Sequence, residues 1–454
     1  MRTKKHNSAN SNNSNLRKTR RKNTQSEQNI QGKIINETTE GWKVLSIFGE
    51  PYERGFAHGY LLKNELVKVK KVFLFLLKNE LKVSYSTYMR DSNRIIKPIM
   101  RKEYPEYYEE IKGISHGAKK AGLDISVNFL IGWNAYVSLY SYYKDGAPIK
   151  CSAFIATGNH TEDGDIVMAH NTHTSFAEGF IANIVLYVFP TQGYSFVMQT
   201  SPGYIASIMD WFICSSGMIG CETTIGDINY KPKFGDPVFC RIRKAMQYGN
   251  DLDDYDKIMT TRNAGDYACS WLFGDIRTNE IMLFELGLKE KHIKKTKNGA
   301  YYGMNSAIGE NIRNKETNDK EHTDITTSVG ARNVRFKELI HDKYKGKINM
   351  KNAKEIICDH YDKHLNKNQM GARCICKHGE LAPDGKNPYH LYGCTDAKIV
   401  NSRMAKKLMF LGRFGSACGR PFSIKKHVKE HPEYKEWVNV IDEMPSYNWT
   451  TLSL

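Results

Sequence analysis

A cysteine sulfur attacks a carbonyl carbon only as the thiolate, and its unperturbed pKa of about 8.5 means that a reactive cysteine needs a base or a cation close by. One stretch of this 454-residue chain offers such company. Cys151-Ser152-Ala153-Phe154 begins a β-prone run, Glu162-Asp163-Gly164-Asp165 supplies a turn, and Met168-Ala169-His170-Asn171-Thr172-His173 returns with polar side chains. A hairpin of that kind sets Cys151 at a strand tip beside His170 and Asn171. If the bond between Lys150 and Cys151 is cut, the new α-amino group, with a pKa of about 7.7–8.0, becomes a base on the same residue as the sulfur. Composition alone points elsewhere. Cys151 is one of ten cysteines spread over a large chain, and cysteines so placed are mostly reduced, buried and inert.

A competing chemistry lies further along. Cys374-Ile375-Cys376-Lys377-His378 and, beyond a loop rich in Gly and Pro, His390-Leu391-Tyr392-Gly393-Cys394 offer soft ligands at metal-like separation. Zinc takes four thiolates and imidazoles in a tetrahedron, but its usual Cys-x-x-Cys hook is wider than this Cys-x-Cys pair. Unliganded loop cysteines are therefore the expected reading, and neither a metal nor an organic cofactor is assigned.

The elements that must position these residues change character at Cys151. Before it, Leu62, Leu66, Val69, Phe73 and Leu76 recur at three- and four-residue spacing and predict an amphipathic helix. A second helix is expected over 99–121, stopped by Gly122, and a third over 126–143. After it come short β runs separated by turn residues: 152–157, 165–170, 182–189, 194–199, 218–225, 270–275, 280–285 and 291–295. Helices return at 238–248, 255–261, 334–344, 353–360 and 396–410. Strands bracketed by helices predict an α+β fold with helix-covered sheets rather than alternating βαβ units.

With 40% hydrophobic and 11% aromatic residues, the bulk of the chain is globular. Much of the net charge of +17 sits in the first forty residues, where Asn, Ser, Lys and Arg dominate, so residues 1–40 are expected to be a disordered basic tail. Its cluster Arg17-Lys18-Thr19-Arg20-Arg21-Lys22 suits nucleic acid, an anionic membrane or an import receptor, or is simply solvated; nothing requires a nucleic acid. The longest apolar run, Val72 to Leu77, is too short to span a bilayer, and no secretory signal is visible, so the localisation stays open.

Several segments resemble the phospholipase B-like (lamina ancestor) family. They are Cys151-Ser152-Ala153-Phe154, His170-Asn171-Thr172, Ser201-Pro202-Gly203-Tyr204-Ile205, Glu222-Thr223-Thr224-Ile225-Gly226, Asn263-Ala264-Gly265-Asp266-Tyr267 and Gly393 to Val400, which follow the family's order. Arg54-Gly55 and His58-Gly59 are similar to the penicillin acyltransferase-like branch of the same superfamily, the N-terminal nucleophile hydrolases. The resemblance implies a four-layer αββα sandwich, with residues 41–150 as a mainly helical N-terminal segment and 151–454 as the catalytic domain. It also implies self-cleavage between Lys150 and Cys151, with the two pieces staying associated. The mature enzyme would then hydrolyse an ester of a lipid, or an N-acyl amide, through a Cys151 thioester, with peripheral membrane contact and no cofactor.

The same resemblance assigns roles. Cys151 is the nucleophile, and His170 and Asn171 orient it or its amine. Thr223 and Thr224 lie around the scissile carbonyl, Asn305 donates to the oxyanion, and Arg332 sits near the amine. Each also has a plain structural reading: a satisfied strand-end histidine, paired strand threonines, a turn asparagine near Gly303 and a solvated helix-start arginine.

Overall fold

The computed structural model of the protein describes residues 30–144, 151–384 and 387–454, so Lys150 and the tail up to residue 29 lie outside the described residues. Strands β1 (Gly32–Glu37) and β2 (Lys43–Gly49) form an antiparallel pair. Residues 32–37 were expected within the tail. As an outer strand β1 needs only backbone pairing, and most of its side chains face outward, which is why its composition is tail-like.

Six helices follow: α1 (Pro51–Leu61), α2 (Lys63–Leu76), α3 (Tyr85–Glu103), α4 (Pro105–Lys120), α5 (Val127–Asn134) and α6 (Tyr136–Tyr143). Helices α1 and α4 touch backbone to backbone. A Cβ on Gly55 would sit 2.0 Å from the carbonyl oxygen of Glu110, and one on Gly59 would sit 1.9 Å from that of Ile114. This contact buries Arg54, which donates to Glu110 at 2.7 Å and Glu106 at 2.6 Å; Arg243 reaches the same Glu110 at 2.9 Å. Two guanidinium groups on one carboxylate offset much of the desolvation that burial imposes.

Past Cys151 the chain builds β3 (Ser152–Thr157), β4 (Val167–Ser175), α7 (Phe176–Gly179), β5 (Ile184–Pro190), β6 (Phe196–Thr200), β7 (Trp211–Cys214) and β8 (Met218–Thr224). Then come α8 (Val238–Tyr248), α9 (Leu252–Thr260), β9 (Cys269–Asp275), β10 (Glu280–Leu286), β11 (Lys291–Thr296) and β12 (Gly299–Gly303). The last stretch holds α10 (Glu310–Glu316), α11 (Ser328–Lys337), α12 (Met350–Ile357), the two-residue strands β13 (Tyr361–Asp362) and β14 (Lys367–Asn368), and β15 (Tyr392–Asn401), β16 (Phe410–Phe414) and β17 (Thr450–Leu452).

A nine-stranded sheet runs in the order β1-β2-β5-β6-β7-β8-β9-β10-β11, and a six-stranded sheet in the order β12-β3-β4-β15-β16-β17. Alternation along the strands assigns the faces. Ala153, Ile155 and Met168 of the small sheet meet Val185, Ile213 and Leu272 of the large one in one apolar cluster. On the outer faces, Phe154, Ala169 and Ile399 pack with α11 and α12, whereas Leu186, Met198 and Phe284 pack with helices that include α2, α4 and α8. The expected α+β class holds, with helices outside two facing sheets. Because β2 lies parallel to β5, the segments before and after Cys151 share the large sheet.

One expectation fails outright. Residues 396–410, read as one helix, begin with six residues of β15 and keep only a single helical turn, Ser402–Ala405: β15 lies in the middle of the small sheet between β4 and β16. Its buried Asp396 and Lys398 are two residues apart and bond each other, a period-two pattern that the mixed composition concealed.

Candidate active site

Cys151 immediately precedes β3 and is wholly buried. Its sulfur and one carboxylate oxygen each from Asp210 and Glu222 all lie within 4.8 Å of one another. Burial first, then these two acids, push its thiol well above the ordinary cysteine range, while the backbone N–H of His173 and the charge of Lys398 pull the other way. The sulfur is therefore held as a thiol.

The acids are themselves unusual. Glu222 ends up near β8's last residue and accepts from the Tyr267 hydroxyl at 2.7 Å, and burial pushes its pKa up to about 7. Asp210, with the left-handed φ of 54°, is pushed well above the carboxylate range by burial and by Glu222. Asp210 Oδ2 and Glu222 Oε2 have no donor among the described residues, so the two carboxyls bond each other only by sharing a proton. Lys398 steadies the negative charge from below: its Nζ donates to Asp396 at 2.5 Å, Thr172 at 2.8 Å and the Met209 carbonyl at 3.3 Å.

This shared proton predicts a pH dependence. A folded-state pKa of about 7 for Glu222 lies above the unfolded value of about 4.3, so the folded protein holds an extra proton between them and loses stability as pH rises through that window. Glu222→Gln keeps the site neutral. It should make the fall of melting temperature between about pH 5 and pH 8 shallower, with Asp210 and Glu178, also held above the carboxylate range by burial, supplying the slope that remains. Thermal melts across that range check this; a slope equal to that of wild type refutes the shared proton.

Opposite the acids stands Arg332. Helix α11 starts on Thr327, whose hydroxyl accepts from the Gly330 N–H, and this start aims Arg332 at the beginning of β3. Its Nη1 donates to the Cys151 carbonyl at 2.8 Å and to the Ser152 hydroxyl at 3.0 Å, and its Nη2 to Asn305 Oδ1 at 2.8 Å. Asn305 adopts a φ of 82° just past β12, a conformation that asparagine tolerates better than most residues. Its amide donates one hydrogen to the Thr224 carbonyl at 3.0 Å, which leaves the second hydrogen for another acceptor. The Thr224 hydroxyl in turn meets Tyr267 at 2.5 Å.

Cys151, Asn305, Arg332 and Thr224 thus come together, joined by one chain of hydrogen bonds. Thr223 points to the opposite face of β8, where its hydroxyl has no partner among the described residues. His170 and Asn171 also part company. His170 donates from Nε2 to the Glu222 carbonyl at 2.9 Å and is kept neutral, chiefly by burial. Asn171, on the other face, donates to the carbonyls of Ile357 at 2.6 Å and Ile375 at 3.3 Å, beneath α12. The groups that sequence reasoning left without a role are Asp210, Glu222, Tyr267, Asp396 and Lys398. Four of them stand inside segments already singled out, at 222–226, 263–267 and 393–400; Asp210 carries no such signal.

No family model matches the chain. An uncharacterized protein of Archaeoglobus fulgidus is 23% identical over 237 residues, which span 48% of this chain and 39% of that protein. The chain thus spans about two fifths of that relative. Among solved structures, a mutant conjugated bile acid hydrolase from Clostridium perfringens covers 58% of this chain and 89% of its own, at 10% identity and a TM-score of 0.34. A likeness that slight carries no functional argument.

Proposed function

We propose that the protein is an N-terminal nucleophile hydrolase of acyl bonds, with lipid esters as its substrates, and that it activates itself by cutting between Lys150 and Cys151. The observation that carries this reading is the placement of the Cys151 sulfur beside a proton-sharing pair, Asp210 and Glu222, and the fork of Arg332 on the Cys151 carbonyl and Asn305. Before the cut there is no free α-amino group, so another base must take the thiol proton. A carboxylate with a pKa near neutrality does that at working pH.

In the first step the thiol passes its proton to the acid pair and sulfur attacks the Lys150 carbonyl carbon. The carbon–nitrogen bond then breaks, the proton returns to nitrogen, and Lys150 is left as a thioester on Cys151. Water hydrolyses the thioester, freeing the Lys150 carboxylate and a cysteine with its own amine. The mature cycle repeats the attack on a substrate acyl group, with the second amide hydrogen of Asn305 offered to the oxyanion.

The cavity beside Asp210 and Tyr267, walled by Val137, Tyr204, Phe239, Ile242 and Trp271, is apolar but only about 20 Å³, room for one water, so an acyl chain enters only where that wall gives way.

The test is to purify the full chain and measure its intact and fragment masses, expecting a piece that begins at Cys151. The matured protein is then assayed against phospholipid and N-acyl amide substrates of equal chain length. A chain that stays whole and hydrolyses neither sinks the reading, and preference for the amide moves the substrate class from lipid esters to N-acyl amides.

A further inference from the structure

Behind the small sheet, three loops bring two thiols and two imidazoles to one point. His360 follows α12, Cys376 and His378 lie in the loop that leads to β15, and Cys418 lies just past β16. One ligand atom from each lies within 4.8 Å of all the others. Both sulfurs stand 3.5 Å from His378 Nε2. For a metal with sulfur at about 2.3 Å and nitrogen at about 2.0–2.1 Å, a tetrahedral edge between the two is about 3.5 Å.

Ordinary hydrogen bonding does not account for this grouping. His378 holds its Nδ1 against the Glu380 carboxylate at 2.9 Å, which orients the ring and leaves the Nε2 lone pair facing both sulfurs. One lone pair cannot accept two S–H groups well. His360, whose ring centre lies 5.3 Å from that of His378, has a buried Nε2 with no hydrogen-bond partner among the described residues. The neighbouring thiols are otherwise engaged. Cys374 donates to the carbonyls of Gly371 at 3.2 Å and Cys376 at 2.9 Å, Cys394 to that of Asp396 at 3.5 Å, and Cys358 to that of Ala417 at 3.0 Å.

We propose that His360, Cys376, His378 and Cys418 bind one zinc-class divalent ion in a closed tetrahedral site. Two thiolates with two imidazoles select such an ion over magnesium or calcium, which favour oxygen. Four protein ligands leave no open position, so the ion is structural. It ties the loop 371–380 to the outer face of the small sheet. That loop matters to the neighbouring site, because the Ile375 carbonyl, one residue before Cys376, receives both Asn171 Nδ2 and His173 Nε2 from β4. Two of the five soft ligands read from the sequence are retained, Cys376 and His378; Cys374, His390 and Cys394 give way to His360 and Cys418.

Elemental analysis of the full chain, purified under reducing conditions, should find one zinc per chain. Chelator-stripped protein titrated with cobalt(II) should saturate at one equivalent, with thiolate charge-transfer and tetrahedral d–d absorption bands. Cys376→Ser and Cys418→Ser should each lower metal content at least about tenfold, while Cys374→Ser keeps it. Wild-type protein with no bound metal and no cobalt bands overturns the proposal, and so does a Cys376–Cys418 disulfide found by alkylation and mass analysis. These wild-type measurements decide the matter even where a variant fails to fold. They do not depend on whether the chain cuts itself.

Discussion

Cys151→Ala should leave the chain in one piece, whereas the wild type should separate on a denaturing gel into residues 1–150 and 151–454. Hydrolysis should fall by roughly 10⁴-fold or more, because in the proposed reaction both the cut and the later acyl transfer run through this one sulfur. The fold should survive. Alanine removes a single buried heavy atom, at a cost of about 1 kcal/mol, and the backbone bonds of β3 to β4 and β12 do not involve it. Band pattern and activity measured on the same preparation check this, and a variant that still splits before residue 151 would falsify the assignment of Cys151.

Arg332→Met should lower the rates of cutting and hydrolysis by roughly 10²–10³-fold and should also cost stability. Two effects oppose each other in the fold. The guanidinium is fully buried, and all its hydrogen-bond partners are neutral: the Ser328 and Cys151 carbonyls, the Ser152 hydroxyl and Asn305 Oδ1. Burial pulls its pKa down to about 10, so keeping the charge there costs about 3 kcal/mol. Methionine removes that cost but orphans buried acceptors at about 1–3 kcal/mol each. Four orphaned acceptors outweigh the charge-burial cost that is regained, so the melting temperature should fall as well, and the loss of chemistry comes on top of it. Without the fork, Asn305 loses the partner that fixes its amide plane, and the Cys151 carbonyl loses its anchor. Cleavage time courses and melting temperatures for Arg332→Met and Arg332→Lys separate the effects. Lysine keeps the charge without the two-armed reach, so it should fall between methionine and wild type. A methionine variant that cuts at the wild-type rate removes Arg332 from the site.

Much of the fold could be read locally. β3 and α8 occupy the stretches expected for them, because a β-branched or alternating run and a helical apolar stripe each leave a period in the sequence. The reading failed where tertiary contacts override that period. β1 looks like tail because an outer strand needs no apolar face, and β15 looks helical because its inner positions hold a lysine and an aspartate that only each other's company, with Thr172 and Gln199, makes tolerable in a core.

Of the candidate site, the sequence determined the landmarks: the change from helical to β character around Cys151, and the polar residues at 170–171, 223–224, 305 and 332. Tertiary structure alone decided which of them meet. Strand alternation sends His170 and Asn171 to opposite faces, and likewise Thr223 and Thr224. Arg332 reaches the Cys151 carbonyl across 181 residues of chain, a separation that no local pattern encodes. Burial then settled the protonation states. A cysteine, two carboxyls and an arginine have ordinary pKa values in any unfolded chain, and only their common enclosure holds the sulfur as a thiol, makes the acids share a proton and lowers the Arg332 pKa while leaving the guanidinium charged.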